Sequence, residues 1–206
     1  MILDPLTLLA FIPAGLALNL TPGADMMFCL GLGLRAGPRP ALAASAGISA
    51  GGMVHVTLAG LGLAATIAAL PWAFDAIRWV GVAYLLWLAA QALRQGPLRP
   101  SAAVLSPARA FRQGIVVNLT NPKVILFVLA FVPQFIDPVR PILPQFLIYG
   151  LVLAVGGFVI NGAVGVFAGG VGRTLATSPL FARGLGLASA AIFTALAARL
   201  AILHRS

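Results

Sequence analysis

From Leu6 to Leu34 the chain carries a single charged residue, Asp25, in a run otherwise made of apolar and small side chains. Five further apolar runs follow, near 41–69, 72–95, 107–135, 144–170 and 180–203. Each exceeds the ~20 residues that an α-helix needs to cross the hydrocarbon of a bilayer. Hydrocarbon offers no partner to backbone N–H and C=O groups, so a spanning segment must satisfy its own, and runs of this length do so as helices. The expected fold is therefore an all-α membrane protein of six transmembrane helices.

Composition agrees. The 206 residues are 61% hydrophobic and 8% charged, against the roughly 25% charged residues of soluble domains. The net charge of +9 would suggest nucleic acid in a soluble chain, but the surplus of Lys and Arg on the cytoplasmic side accounts for it in a spanning one, and no nucleic-acid partner is expected. The N-terminus has Asp4 where a signal peptide has a basic segment, and its apolar run is about twice a signal core, so it is expected to be retained. Cys29 is the single cysteine, which excludes an internal disulfide and a two-thiol redox site.

Breakers separate the runs: Gly37-Pro38-Arg39-Pro40, Pro71, the segment from Gly96 to Pro107, Pro138 to Pro144, and Ser178-Pro179. Ser106-Pro107 reads as an N-cap followed by proline at the first helical position. Arg35, Arg39, Arg94, Arg99, Arg109, Arg112, Arg173 and Arg183 fall on one side of the six spans, and Arg78, Arg140, Arg199 and Arg205 on the other. Eight against four puts the first side in the cytoplasm and both termini outside. Asp4, Asp75 and Asp137 fall on the poorer side, which leaves Asp25 as the one acid within the membrane.

Two runs are interrupted by related words, Asn19-Leu20-Thr21-Pro22-Gly23-Ala24-Asp25 and Asn118-Leu119-Thr120-Asn121-Pro122-Lys123. They stand in the first and fourth spans. Three spans per unit is an odd number, so the second copy must enter from the opposite face, giving two inverted three-helix repeats: residues 1–95, a cytoplasmic connection 96–106, and residues 107–206, all in one transmembrane domain. Matched interruptions in two such halves point to a transporter's binding site. Pro22 removes a donor and Gly23 permits unusual backbone angles, so the first span should break near Thr21. Asn19 and Thr21 can satisfy the freed groups, and Asn121 before Pro122 should cap a second half-helix, whose amide end suits a carboxylate.

Asp25 precedes Arg35 by ten residues and Lys123 follows Arg112 by eleven. At 1.5 Å per residue both lie roughly 15 Å from the cytoplasmic interface. An isolated charge there costs at least about 2.5 kcal/mol, so the pair should neutralise each other or share a zwitterionic ligand. Gly47, Gly51 and His55 recur every four residues, as do Asn161, Gly165 and Gly169, so each polar group shares a face with glycines that admit a close helix. His55 could carry a proton or simply bond between helices. Met26, Met27 and Cys29 lack a second thiol or histidine nearby and are read as packing, so no metal is expected. Phe127, Phe131 and Phe135 form a helical stripe, core or lipid-facing, and Trp72 and Trp79 suit an aromatic belt.

Through its two interrupting words the sequence resembles the lysine exporter superfamily, in its homoserine/threonine-resistance branch. The likeness in length, span number and motif position extends over essentially the whole chain. It implies export of amino acids or close derivatives across the bacterial inner membrane, driven by protons, with no enzymatic activity and no cofactor; a homodimer is compatible with it. The usual first motif has a second proline where Ala24 stands. The expected substrate and proton site, read from the breaks and the charges, comprises Asn19, Thr21, Pro22, Gly23, Asp25, Asn118, Thr120, Asn121, Pro122 and Lys123, with His55 and Asn161 as a second layer. Asp25 would take the substrate ammonium, and Lys123 with the half-helix amides its carboxylate. An inorganic-cation exporter would need more acidic ligands, and a membrane thiol electron carrier more cysteines.

Reporter fusions check the topology. A reporter fused at Ser101 should label the cytoplasm and one at Ser206 the exterior; labelling of the same side by both removes the inverted repeat.

Overall fold

Asp4 opens the first helix, its carboxylate accepting from the Thr7 amide at 3.0 Å and the Thr7 hydroxyl at 2.8 Å. These two bonds, with a smaller contribution from the Arg140 charge, hold the Asp4 carboxyl below its usual range. Helix α1 (Pro5–Leu20) stops at the first interrupting word, and α2 (Ala24–Ala36) resumes at an angle of 52° to it. Gly37, with φ of 84°, adopts the left-handed conformation that glycine tolerates, turning the chain into α3 (Pro38–Ala69). Next come α4 (Ala73–Arg94), α5 (Pro107–Leu119) and, after a 53° bend at the second word, α6 (Pro122–Leu126). A π-helical turn Phe127–Phe131 and a 3-10 turn Val132–Phe135 continue α6, and α7 (Ile142–Val166) and α8 (Pro179–Ile202) complete the chain.

This computed structural model describes residues 2–69, 73–94, 104–168 and 178–202, and no strand occurs among them. Pro71, Trp72, the connection from Gly96 to Ala103, Gly169, Arg173, His204 and Arg205 fall outside the described residues, as do the side chains of Asp75, Arg78 and Arg199. Among the described residues, three helices are long and apolar enough to cross a membrane, or up to five if each bent pair is one span; Trp79–Arg94 is a shorter apolar helix. The chain is thus a helical, multi-pass membrane protein. Ser106 stands at the N-cap of α5, yet its hydroxyl makes no cap bond. Pro133 has no N–H to return to the preceding turn, and the helix re-registers there from π to 3-10 geometry.

Helix α3 lies along α5 and α7, α2 along α3 and α7, α1 against α7 and α8, and α4 against α8. Glycine sets these approaches. A Cβ on Gly47 would collide with the Phe111 carbonyl oxygen and one on Gly114 with that of Ala44, so α3 and α5 meet backbone to backbone in both directions. Gly165 likewise admits Ala41 and the Cys29 carbonyl. The glycine faces of α3 and α7 are therefore packed against protein, as close approach of small residues in a membrane demands. The Phe127 and Phe131 rings are buried, and both, with Phe135 and Tyr149, surround Phe11, its nearest ring centroid being that of Tyr149 at 4.6 Å. The stripe is core. Trp79 is exposed.

Replacing Gly47 or Gly114 with alanine should cost about 1–3 kcal/mol by overpacking and lower the melting temperature of the purified protein. Gly184→Ala, where an added Cβ meets nothing within 4 Å, should leave it unchanged or raise it.

Candidate functional site

The two breaks meet. At the end of α1 the Thr21 hydroxyl donates back to the Ala17 carbonyl at 2.6 Å, and the chain leaves the helix through Pro22 and Gly23. Gly23 is extended, with φ of −168°, a conformation open to any residue, so the expected need for unusual angles is corrected. Glycine leaves room for the neighbouring side chain: a Cβ there would lie 3.3 Å from Nζ of Lys123, a tight contact. At the second break the Asn121 side chain accepts from the Lys123 amide at 3.1 Å, capping α6, with Pro122 in the first turn as expected.

Lys123 then reaches across. Its Nζ donates to the Leu18 carbonyl at 2.9 Å and the Thr21 carbonyl at 2.7 Å. These belong to the C-terminal end of α1, where freed carbonyls and the helix dipole favour a cation. The Lys123 carbonyl in turn accepts from the Tyr84 hydroxyl of α4 at 2.7 Å. Asp25 lies in the first turn of α2, buried, with Oδ2 accepting from Asn118 Nδ2 at 2.9 Å. Of the two arrangements open to the charges, direct pairing is absent: no Asp25–Lys123 ion pair forms among the described residues, although both border one cavity of about 10 Å³.

A second cavity of about 40 Å³ adjoins, walled by Asp25, Asn118, Asn161, Asn19 and Ser49 with apolar neighbours. Four buried polar atoms in this region have no hydrogen-bond partner: Asp25 Oδ1, Asn118 Oδ1, Asn161 Oδ1 and Asn121 Nδ2. Asp25, Asn118 and Asn161 are at most 8% exposed. Buried polar groups are nearly always bonded, so three unpartnered acceptors lining one cavity set this place apart from the rest of the interior. The end of α2 has no side-chain cap either, leaving its first amides for an anion.

The other expected residues are distributed around this centre. Asn19 donates to the Leu153 carbonyl of α7 at 3.1 Å and walls both small cavities. Thr120 is exposed and turned away, its hydroxyl bonded back to the Val116 carbonyl at 2.9 Å. His55 touches the Asn118 carbonyl through Nε2 at 3.2 Å and borders a separate, apolar cavity of about 480 Å³ between α3, the π turn and α7. Ser45 and Ser49, not singled out in the sequence, donate to the Phe158 and Ala154 carbonyls of α7, each at 2.9 Å. Their four-residue spacing on α3, beside Gly47 and Gly51, was an available signal. Tyr84, a lone tyrosine in an apolar helix, was another.

The profile of the family described as LysE type translocator matches residues 16–204. The chain is 37% identical to a homoserine/homoserine lactone efflux protein of Salmonella typhimurium, over 73% of this chain and 75% of the relative. It is 35% identical to a leucine efflux protein of Enterobacter sp., over 90% of each, and 40% identical to an uncharacterised membrane protein of Vibrio cholerae, over 69% of this chain and 71% of the relative. No solved structure matches the chain.

Removing the Asn118 amide strands the Asp25 carboxylate. Asn118→Ala should lower thermal stability by about 1–3 kcal/mol, whereas Asp25→Ala with Asn118→Ala together should cost less than the sum of the single changes. Melting curves of the three variants decide it; strict additivity means the bond contributes nothing.

Proposed function

The chain belongs to the LysE type translocator family, and from that premise we propose that it exports amino acids or close derivatives across the bacterial inner membrane in exchange for protons. It is a transporter, not an enzyme. The observation that carries the proposal is the meeting of two helix breaks at one buried centre, where an anion, a cation, two helix N-terminal ends and three unpartnered acceptors border shared cavities. An α-amino acid has the complementary groups: its ammonium suits Asp25, Asn118 and Asn161, and its carboxylate the uncapped amides of α2.

In this reading the broken α1–α2 and the bent α5–α6 segment are single spans, giving six in all and both termini outside. The halves are inverted copies. The closeness of the two bends, 52° and 53°, supports this, as does the packing of α3 with α7 and of α4 with α8, since each of these elements then meets its own counterpart across a two-fold axis. The cavities of about 40 and 10 Å³ are far below the ~300 Å³ of an open small-molecule pocket, so this is a closed conformation of the cycle, and alternating access requires the breaks to move.

Inside-out vesicles holding the protein test the reading. With an acid interior they should accumulate labelled leucine or homoserine, and Asp25→Ala should abolish accumulation while leaving membrane insertion intact. Absence of uptake across a panel of α-amino acids overturns the proposal.

A further inference from the structure

Resting on the exporter reading, we propose that Lys123 is the proton-exchanging group of the cycle: its ammonium occupies the end of α1 and gives up a proton when the ammonium of a substrate enters. Half-helix C-terminal ends and unwound carbonyls are where membrane transporters hold a coupling cation. Here that place is filled by a side chain, with Nζ on the Leu18 and Thr21 carbonyls and Gly23 packed on its flank. The charge is met at bonding distance by neutral carbonyls, with no carboxylate within ion-pair distance among the described residues. Its protonated state therefore depends on the geometry of the break. Once the α1 carbonyls swing away, the acceptors left to the ammonium are those of the cavity wall it shares with Asp25, Asn19 and Asn161, and when a substrate ammonium takes these, shedding the proton relieves the cost.

Competition supplies the antiport. Lys123 and Asp25 border the same cavity of about 10 Å³, which has no room for a second ammonium beside that of Lys123. A protonated lysine and a loaded substrate thus exclude one another. In each cycle an N–H bond of Nζ breaks, its electron pair stays on nitrogen, and the proton passes to water on the cytoplasmic side; after the substrate leaves outside, Nζ takes a proton from the external water. One proton enters for each zwitterion exported.

The other titratable groups facing this centre fit different tasks. Asp25 of α2 holds an amide bond from Asn118 and unpartnered acceptor capacity for the substrate. His55 of α3 borders the apolar cavity instead of the one that Lys123 shares with Asp25. Tyr84 of α4 uses its hydroxyl on the Lys123 carbonyl. Cys29 of α2 is buried against α3 and α7. Helices α1, α5, α7 and α8 place no charged side chain at this depth among the described residues.

The test uses full-length protein in liposomes with two readouts, pH-gradient-driven accumulation of labelled leucine and gradient-free exchange of labelled for unlabelled leucine. Lys123→Met and Lys123→Gln, permanently neutral, should lose accumulation while still exchanging, at a reduced rate that no longer varies with pH. Lys123→Arg, permanently charged, should lose both. For wild-type protein in weakly buffered detergent, leucine binding should release close to one proton, a result independent of whether any variant folds. Gradient-driven accumulation by either neutral variant, or no proton release from wild type, overturns the assignment. If wild type exchanges no amino acid at all, the exporter reading falls and this inference with it; if it exchanges but the lysine results fail, only the role of Lys123 falls.

Discussion

A helix broken inside hydrocarbon leaves carbonyls that no water can reach, and this protein answers that cost at one break with a side chain from the other. Lys123 bonds the Leu18 and Thr21 carbonyls at the end of α1, while Asn121, two residues earlier, caps the helix on which Lys123 stands. The same lysine thus terminates one half-helix and begins another. Each unsatisfied polar group in lipid costs several kcal/mol, so neither break is stable without its counterpart. Asp25 completes the arrangement through Asn118, which sits just before the second break.

That arrangement depends on backbones lying closer than ordinary side chains allow. The reciprocal approaches of Gly47 to Phe111 and Gly114 to Ala44 bring α5 against α3, and so bring Asn118 to Gly51, where an added Cβ would stand 3.0 Å from the Asn118 side chain. On the other flank Asn19, Ser45 and Ser49 donate to successive regions of α7. In water such bonds would exchange with solvent at little net gain. Between membrane helices they fix the depth at which α1, α3 and α7 pass one another.

Much of this was legible in the sequence because the bilayer restricts the alternatives. Apolar runs longer than ~20 residues admit helices, and a proline with an asparagine inside such a run marks a break whose ends need partners. The cap at Asn121 and the glycine faces follow from local rules. What local rules could not supply were partners distant in the chain. Opposite charges at equal depth suggested an Asp25–Lys123 pair as one outcome, but Nζ bonds the Leu18 and Thr21 carbonyls of α1, where the helix C-terminus also favours a cation. Gly23 was read by its backbone freedom, whereas its backbone is extended and it lies close against the Lys123 side chain. The π turn at Phe127–Phe131 arises where Pro133 removes a hydrogen bond inside an aromatic cluster built with Phe11 and Tyr149, a contact invisible from spacing.

The unpartnered atoms also bear on how such a protein could cycle. An unpaired buried polar group costs about 1–3 kcal/mol, and Asp25, Asn118 and Asn161 each keep an acceptor in that condition at the wall of the cavity of about 40 Å³. Tight packing maintains it, at a cost that a ligand bringing donors to Asp25, Asn118 and Asn161 would relieve. A ligand shifts a conformational equilibrium only by its differential affinity for the two states. Under the export reading such a differential follows: substrate would supply donors to Asp25, Asn118 and Asn161, while the Lys123 bonds to the Leu18 and Thr21 carbonyls favour the conformation in which α1 is held. Under the export reading, substrate and lysine thus favour opposite positions of the same break, which is the condition for coupling one flux to the other.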